Sequence, residues 1–536
     1  MSPHLTPLHM KFTKVEIKQL TPDYIERLNK EQLANLCKGV VADLVEAHDR
    51  LNTNSSNSSK PPSTRAPWER SSDGKATPEN EEDEEKDLPD KTTQQENGDD
   101  VTPKDPPEGG KDNPKKDDAQ KKKPGKQPNA QGFGRTQKLT VTQTVVHRSC
   151  ECKSCNASLD ANATFTATGG HYVIDIVLPK NAEIGLQGTY TKHLYGKSLC
   201  SCGFETHSLQ HCTPSDDEWS VTLSEGNLIG PTLLAFFCFL KHRMHATGSK
   251  VQSLLQWLGI ALSIGCINKC FREAGRAVST LEPQLLAALR AAGLLHVDET
   301  SWYNRKVACW LWVFCNEGLV YYSISSRGQE AADAVLAGFN GDLMTDGYKV
   351  YRKYKNRMRC WPHLERKGKA LKESWDKEAS SFGKFVVSTF AHLRDCVYKL
   401  RELPEEERGP LKEEAQARKV KLIYECLLKQ ESEHEKTNQL ASEILNDNQA
   451  IFRVLGEPEL PLSNNRAERQ FRYLAILRKI TYGNKSEEGC RALTLTASVV
   501  DTMLALGQNA YEYLAKVFDL RRKGSDPPPI PFPTSS

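Results

Sequence analysis

The stretch LLHVDETSWYNRK, residues 294–306, places apolar residues directly before two adjacent carboxylates. Its beginning, LLHV, is typical of a buried strand. Asp298 and Glu299 interrupt that pattern, because ionised carboxylates are costly to bury unless a partner or a metal ion neutralises them. The stretch therefore indicates a strand that carries acidic groups toward the protein interior for a chemical purpose.

The segments that follow this strand indicate the fold. Three β-type segments come first, then a helical piece, a short strand ending in Asp346 and a further strand-like piece; they are residues 294–302, 308–316, 319–325, 329–339, 341–346 and 357–363. This order predicts an α/β fold with a ribonuclease H-like core. In that fold Asp298 lies in mid-strand and Asp346 ends the neighbouring strand, so we expect their carboxylates to converge. Strand alternation predicts that Glu299 points away from Asp298, toward a base on the far face.

A third acid lies in SNNRAERQFRYLAILRKITYG, residues 463–483, which predicts a helix beginning after Ser463. Glu468 is the only acid between residues 464 and 486. Asp298, Asp346 and Glu468 could together hold two magnesium or manganese ions, which are hard cations that prefer carboxylate oxygen. The alternatives are ordinary strand-end or turn acids at the first two positions and, for Glu468, a surface pair with Arg472 one helical turn away.

Basic residues concentrate around these acids, although the net charge of the 536-residue chain is only +3. Residues 349–372 contain ten lysines and arginines against Glu365 alone. Such a surplus suits a phosphodiester substrate. The predicted DNA-binding residues are Lys349, Arg352, Lys353, Arg466, Arg469, Arg472, Arg478 and Lys479. His363 and Asn465 are candidate supports of the active site, and a simple packing role is the alternative for His363.

The 16 cysteines are scattered, and the polar N-terminal stretch has no secretory signal, so a reducing cytoplasm is expected. Cysteine clusters then indicate metal binding before disulfides. Cys152 and Cys155 (C-x2-C) and Cys200 and Cys202 (C-x-C) flank a β-like segment and could hold a structural zinc ion in a zinc-finger-like unit. The second pair is one residue tighter than usual, and the possible substitute ligands are Cys150, Cys212, His207 and His211. Scattered core cysteines are the simpler alternative.

The remaining segments set the organisation of the chain. Apolar residues recur at steps of four and three from Leu33 to Leu51 and predict an N-terminal helix. Its apolar side suits either a short coiled coil or packing against the rest of the same chain. A charged, apolar-poor stretch predicts a disordered linker, and a Pro-rich ending predicts a disordered tail. Residues 249–275 have a helix-turn-helix outline, with a turn at Gly259 and a cap at Ser263. The longest apolar run, residues 228–240, is too short to span a membrane and predicts a buried helix.

Four motifs together carry a resemblance to a known family: HVDETSW (296–302), LMTDGYKVYRKY (343–354), CWPHLERK (360–367) and the stretch that begins SNNRAERQ and ends at residue 503. They resemble the transposases of the insertion sequence 66 family of bacterial mobile elements, from roughly residue 138 to the C-terminus. The resemblance implies a DDE recombinase with Asp298, Asp346 and Glu468 as its acidic triad. It also implies a mostly α-helical insertion between the second and third acids.

The function implied by this resemblance is that of an enzyme, a DNA transposase. It would bind the terminal inverted repeats of an insertion sequence, cleave DNA strands with two metal ions and join the freed 3′-hydroxyl ends to target DNA. Self-association, accessory proteins encoded by the element and a bacterial, nucleoid-associated location in the cytoplasm are further expectations, and no membrane partner is expected. Two alternatives stay open: a catalytically inactive, transposase-derived DNA-binding protein and a stand-alone ribonuclease H-like nuclease.

These considerations predict eight segments. They are an N-terminal helical segment (1–52), a disordered charged linker (53–137), a zinc-finger-like β unit (138–226), a helical region with the helix-turn-helix outline (227–290), the first part of the core (291–363), the α-helical insertion (364–459), the second part of the core with the Glu468 helix and a C-terminal helix (460–522), and a Pro-rich tail (523–536).

Overall fold

A computed structural model describes residues 20–51, 140–159, 164–177, 187–215, 218–305 and 307–533, which form a mixed α/β structure with many helices. The strands are β1 (Gln143–His147), β2 (Phe165–Val177), β3 (Gln187–Leu199), β4 (Glu205–His207), β5 (Cys212–Thr213), β6 (Leu223–Ser224), β7 (Leu294–Asn304), β8 (Val307–Cys315), β9 (Val320–Ser325), β10 (Asp342–Thr345) and β11 (Arg357–Arg359). The helices are α1 (Pro22–Glu26), α2 (Lys30–Leu51), α3 (Pro231–His242), α4 (Gly248–Trp257), α5 (Ile264–Val278), α6 (Glu282–Arg290), α7 (Gln329–Leu336), α8 (Trp361–Lys372), α9 (Lys377–Glu402), α10 (Gly409–Leu428), α11 (Glu435–Asn446), α12 (Asn448–Phe452), α13 (Asn465–Thr481), α14 (Glu487–Ala505) and α15 (Ala510–Arg522). Short 3-10 helices occupy Ser279–Leu281, Lys349–Lys353, Glu405–Glu407 and Arg453–Leu455.

A five-stranded sheet lies at the centre, with the strand order β11-β10-β7-β8-β9. Strands β7, β8 and β9 form an antiparallel meander, whereas β10 pairs in parallel with β7 and β11 pairs in parallel with β10. The strands and the helix predicted between residues 294 and 346 are thus confirmed. The last predicted strand, residues 357–363, is wrong in its second half: it ends at Arg359, and helix α8 begins at Trp361, where Pro362 favours a helix start. Helices α13 and α14 cover one face of this sheet, where Trp302, Tyr322 and Leu474 belong to one buried apolar cluster.

A bundle of helices, α8 to α12, separates β11 from α13 in the chain, as the helical periodicity of that region predicted. Its core contains buried residues from several of these helices, such as Trp361, Phe390, Leu422 and Ile444. The indole of Trp361 donates to the carbonyl of Ile451 at 2.7 Å. The bundle therefore has an apolar core of its own beside the sheet.

The N-terminal helix α2 contacts this bundle through the C-terminal end of the helix. The buried Asp49 accepts hydrogen bonds from the hydroxyl of Ser374 at 3.1 Å and from Nε2 of His434 at 3.0 Å. On the predicted coiled-coil seam, the exposed fractions of Leu33 and Leu44 are 37% and 54%. Of the two predicted roles of this helix, packing against the rest of the same chain is thus observed at its C-terminal end. The predicted linker, residues 53–137, lies outside the described residues.

The helix-turn-helix outline is confirmed as a local structure. Helix α4 is followed by Gly259, whose φ of +78° is a left-handed conformation that favours glycine. The hydroxyl of Ser263 then caps α5 by accepting from the N–H of Cys266 at 3.2 Å. A DNA-binding role for these helices stays a prediction. The apolar run before them forms the largely buried helix α3, as predicted, and no helix in the described parts of the chain is long and apolar enough to cross a membrane.

The tail differs from the prediction of disorder over residues 523–536. Its residues up to Pro533 are described, and Ile530 is only 4% exposed. The backbone N–H of Ile530 donates to the side chain of Gln284 at 3.0 Å, and the carbonyl of Pro528 accepts from Tyr513 at 2.7 Å. Prolines restrict φ, so this segment loses little conformational entropy when one apolar side chain anchors it.

A buried ion pair connects α15 to the helical region, and its loss should destabilise the fold. Arg522 donates to Glu273 at 2.7 Å and to the carbonyl of Ile229 at 2.6 Å. We expect Arg522→Met to lower the free energy of unfolding by about 3 to 5 kcal/mol, because it leaves the Glu273 carboxylate buried without its cation. Urea unfolding followed by circular dichroism measures this change.

The neighbouring Lys523 provides a matched control for this substitution. It also pairs with an acid, Asp519, at 2.7 Å, but both side chains are about half exposed. Lys523→Met should therefore change the free energy of unfolding by less than about 1 kcal/mol. Equal losses in the two variants would contradict a stabilising role for the buried pair.

Candidate active site

Two of the predicted acids lie side by side on adjacent parallel strands. Asp298 is in the middle of β7, and Asp346 directly follows β10. The two strands pair with Met344 opposite His296. Continuing that register by two residues brings Asp346 level with Asp298. The topology of the sheet thus brings together two acids that are far apart in the sequence.

These two acids form a cluster with Glu299. One carboxylate oxygen each of Asp298, Glu299 and Asp346 lies within 4.8 Å of the other two. Burial raises the pKa of Asp298 well above its usual range, and the charges of Asp346, Glu299 and Glu468 raise that pKa further. Carboxylates this close repel one another unless a cation neutralises them. The donor set, all carboxylate oxygen, fits a hard divalent cation.

The position of Glu299 corrects one expectation. Strand alternation predicts that its side chain points away from Asp298, yet its carboxylate reaches the same cluster. The cause is two partners from neighbouring loops: Arg327 donates to Oε1 at 2.9 Å and the hydroxyl of Tyr351 donates to Oε2 at 2.8 Å. Burial, together with the charge of Asp346, raises the pKa of Glu299 to about 7. A basic residue, Arg327, does pair with Glu299, as predicted, but Arg327 holds the Glu299 carboxylate beside Asp346.

The third predicted acid lies on the helix that packs against the sheet. Helix α13 begins at Asn465, as predicted, and Glu468 is in its first turn. One ligand atom each of Glu468, Cys360 and His363 lies within 4.8 Å of the other two. The Glu468 carboxylate is 3.5 Å from the guanidinium of Arg366. Asp298 and Asp346 thus belong to one cluster and Glu468 to a second, and the charge of Glu468 helps to raise the pKa of Asp298.

His363, a predicted support residue, lies 3.8 Å from Glu468 through its Nε2. Burial and the positive charge of Arg366 lower the pKa of His363 to about 3, so its imidazole is neutral. Its Nδ1 is buried and has no hydrogen-bond partner among the described residues. The side chain thus places a nitrogen lone pair or N–H next to the acid without adding charge.

Asn464, which the sequence did not single out as a site residue, links the two clusters. The buried side-chain amide of Asn464 donates to the carbonyl of Val297 at 2.8 Å, and its Oδ1 lies 3.3 Å from Nδ1 of His296. Its backbone N–H donates to the sulfur of Cys360 at 3.2 Å. Asn464 therefore ties β7 to the start of α13. The two adjacent asparagines at the start of the helix, Asn464 and Asn465, were the signal in the sequence. Sequence spacing alone does not indicate which distant residues a side chain contacts.

The turn after Asp346 is held by the helical bundle. A β-carbon at Gly347 would lie 1.3 Å from Nη1 of Arg359, so the guanidinium leaves no room for a side chain. Arg359 is buried, donates to Glu443 and lies 3.5 Å from Asp447. One arginine thus couples the backbone beside Asp346 to two acids of the bundle. Sequence reasoning did not single out Gly347 or Arg359.

The predicted DNA-binding residues fall into two groups. Four of them contact protein groups: Arg352 lies 3.6 Å from Asp447, Lys353 pairs with Asp333, Arg466 lies 3.2 Å from Glu317, and Arg478 donates to Thr300 at 3.2 Å and to Ser301. Lys349 is exposed in a 3-10 helix that also contains Arg352 and Lys353. Arg469, Arg472 and Lys479 are exposed along α13. Asn465 is exposed as well and lines a cavity of about 980 Å³ together with Arg466 and Arg469. The exposed side chains of α13 are thus accessible to a ligand.

The four cysteines of the predicted zinc unit come together. One sulfur each of Cys152, Cys155, Cys200 and Cys202 lies within 4.8 Å of the others, and two of the sulfur pairs are 3.7 Å apart. Four sulfurs around a zinc ion at about 2.3 Å would be separated by about 3.8 Å in a tetrahedron. The backbone N–H of Cys155 lowers the pKa of Cys152 to about 6, which favours the thiolate that binds metal. The substitutes Cys150, Cys212, His207 and His211 lie outside this cluster.

The tight C-x-C spacing is accommodated by a turn. The N–H of Gly203 donates to the carbonyl of Cys200 at 2.9 Å, and the N–H of Cys200 donates to the carbonyl of Phe204 at 3.0 Å. Gly203 has a φ of +84°, which favours glycine. This turn brings Cys200 and Cys202 to the same side despite their short separation.

Known proteins match separate parts of this chain. Residues 226–492 match the family described as Transposase IS66 family, a range that contains Asp298, Asp346 and Glu468. Residues 2–96 match a family of unknown function, DUF6444.

Among curated proteins, the chain is similar to three from Sinorhizobium fredii. It is 23% identical to uncharacterized protein y4qI over 55% of this chain and 60% of the relative, and 22% identical to uncharacterized protein y4jD over 56% of this chain and 64% of the relative. It is 24% identical to uncharacterized protein y4hP over 51% of this chain and 56% of the relative. The chain thus spans less than two thirds of the length of each of these relatives. The family match covers about half of the chain and includes the whole acidic cluster, and on this basis the protein belongs to the transposase IS66 family.

Proposed function

We propose that this protein is a DDE transposase that binds the terminal inverted repeats of an insertion sequence, cleaves DNA strands and joins the 3′-hydroxyl ends to target DNA. The observation that carries the proposal is the carboxylate cluster of Asp298, Glu299 and Asp346, and the charge of Glu468 on the adjacent helix raises the pKa of Asp298 further. Membership of the transposase family supports it independently. A buried carboxylate next to others needs a cation, and two-cation sites are suited to phosphodiester chemistry.

The five-stranded sheet is, in this proposal, a ribonuclease H-like core. Its support is the strand order β11-β10-β7-β8-β9, with an antiparallel meander followed by two parallel strands. Asp298 lies in the central strand of this order, and Asp346 ends the adjacent one. The helical bundle α8 to α12 then takes the place of the insertion between the second and third acids.

Asp298, Asp346 and Glu468 would hold two magnesium or manganese ions, and Glu299 offers a fourth carboxylate at the same place. When bound, the ions would activate the attacking oxygen and stabilise the charge of the leaving oxygen. Arg366, 3.5 Å from the Glu468 carboxylate, would hold it in position, and the neutral His363 lies beside it at 3.8 Å. Arg327 and Tyr351 do the same for Glu299.

The exposed basic residues of α13 would bind the DNA backbone beside these acids. Arg469, Arg472 and Lys479 are exposed on the same helix as Glu468, and Asn465 precedes them at the helix start. Guanidinium groups near the scissile phosphate would also neutralise charge that develops during displacement. Arg478 is a weaker candidate, because burial lowers its pKa and its guanidinium is bonded to Ser301.

The cysteine cluster is proposed as a structural zinc site. The sulfur separations fit tetrahedral coordination by four thiolates, which would close the coordination sphere and stabilise the small β unit. Pairing of two element ends makes self-association part of the proposal, with accessory proteins of the element as further partners. A cytoplasmic, nucleoid-associated location follows from the same proposal.

Removing one acid should abolish cleavage and preserve binding. We expect Asp298→Asn to reduce magnesium-dependent cleavage of labelled terminal-repeat DNA by about a thousandfold, because several kcal/mol of charge stabilisation is lost. A gel assay of strand cleavage measures the rate, and a mobility shift of the same DNA measures binding. Asp342→Asn is the matched control, because Asp342 lies on β10 but pairs with Arg453.

The same assay separates the alternatives. Wild-type protein that retains repeat DNA but never cleaves it, with magnesium or manganese, would support a transposase-derived DNA-binding protein. Equal cleavage of DNA without element ends would indicate a stand-alone nuclease.

Zinc binding can be tested by elemental analysis. We expect about one zinc ion per chain in purified protein, and Cys200→Ser combined with Cys202→Ser should remove it and lower the melting temperature, because the remaining two thiolates cannot close a tetrahedral site. Cys150→Ser combined with Cys212→Ser is the control with the same chemistry, since both cysteines lie outside the cluster. Zinc retained by the first variant and lost by the second would exclude the assigned ligands.

A further inference from the structure

A strongly basic cleft opens between the edge of the five-stranded sheet and the helical bundle. Its volume is about 1330 Å³, and its walls come from the segment after Asp346, from α10 and from residues 446–456. Two acids, Glu413 and Asp447, also line it. Its basic lining residues are Arg352, Lys355, Arg357, Lys412, Lys419 and Arg453.

The acids of this cleft do not cancel its positive charge. The side chain of Asp447 is 1% exposed and already bonds to Arg357, with further guanidinium groups of Arg352 at 3.6 Å and Arg359 at 3.5 Å. No carboxylate of the described residues forms an ion pair within 4 Å of Lys355, Lys412 or Lys419. Three ammonium groups, offset by the exposed carboxylate of the other lining acid, Glu413, are therefore left for an anionic ligand.

The spacing of the cleft residues on α10 fits a repeating anion. Lys412, Gln416 and Lys419 recur at steps of four and three, so they lie along one face of the helix. The two lysines are about 10 Å apart along the helix axis. Each strand of a duplex advances by one phosphate about every 3.4 Å along its axis, so two ammonium groups about 10 Å apart can contact different phosphates of one strand.

The cleft is connected to the acidic cluster through few residues. Arg352 and Lys355 follow Asp346 closely in the chain. On the floor of the cleft, Asp447 contacts Arg359, and Arg359 packs directly on Gly347 next to Asp346. The cleft and the acidic cluster are therefore neighbouring parts of the structure, connected through the buried side chain of Arg359.

We propose that this cleft binds the phosphate backbone of duplex DNA beyond the cleavage position, so that the helical bundle is a second DNA-holding element. The inference rests on the proposed transposase function and extends it to residues outside the acidic site. Duplex is favoured over single-stranded DNA because the lining aromatics do not present a free face for base stacking. The ammonium of Lys353 lies over one face of the Tyr354 ring, 5.1 Å from its centroid, and Phe452 is 4% exposed below Lys419.

Charge reversal on α10 tests this proposal. Fluorescence anisotropy with a short labelled duplex of mixed sequence, titrated at several salt concentrations, gives affinity and its salt dependence. We expect Lys412→Glu combined with Lys419→Glu to weaken binding at least about tenfold and to make the slope of log K against log salt shallower by about 1.8, as expected for two lost phosphate contacts. Lys412→Gln combined with Lys419→Gln, a milder change, should shift both in the same direction if the first variant folds poorly.

Lys421→Glu is the matched control, because Lys421 is exposed on the same helix and does not line the cleft. It should bind duplex as the wild type does. If the wild type binds duplex and the double variants bind it equally well, the cleft proposal is overturned while the transposase proposal stands. Loss of single-stranded binding alone would overturn the assignment to duplex, and a wild type that binds no DNA at low salt would overturn both proposals.

Discussion

Electrostatic repulsion among buried carboxylates is the constraint on which the proposed active site depends. Asp298, Glu299 and Asp346 come within 4.8 Å of one another, and Glu468 adds its charge from the adjacent helix. Desolvation and repulsion of these carboxylates destabilise the fold unless a bound cation offsets them. The oxygen donors fit divalent cations. The surroundings of the cluster can be understood as the means of holding those carboxylates together.

Each carboxylate of the cluster is held by a different part of the chain. Arg327 and Tyr351 fix Glu299, whereas Arg366 lies beside Glu468 and Arg359 packs on the turn after Asp346. Two of these arginines, at positions 359 and 366, belong to β11 and α8, at the junction of the sheet and the helical bundle. The bundle is therefore a structural part of the proposed site, although it lies in the chain between Asp346 and Glu468.

The charge distribution extends this coupling outward. A nearly neutral chain concentrates its cations on α13 and in the segment after Asp346, while the internal acids Glu443 and Asp447 neutralise the arginines that are needed for structure. The arginines paired inside hold the fold, and the lysines and arginines left at the surface are available to phosphates. This division between structural and ligand-binding cations cannot be read from net charge.

The sequence by itself determined most of the strands and helices between Leu294 and Thr481, including the helix that carries Glu468, because periodicity and turn residues are local signals. The order of these segments also predicted that Asp298 and Asp346 lie on neighbouring strands. The spacing of Cys152, Cys155, Cys200 and Cys202 also predicted that these four cysteines lie together. Only the tertiary structure decided that Glu299 joins the cluster, that Asn464 and Arg359 tie it to the rest of the fold, and that the Pro-rich tail packs at Ile530. These features depend on contacts between distant segments, whose energy is set by how whole elements pack and not by the residues next to them in the chain.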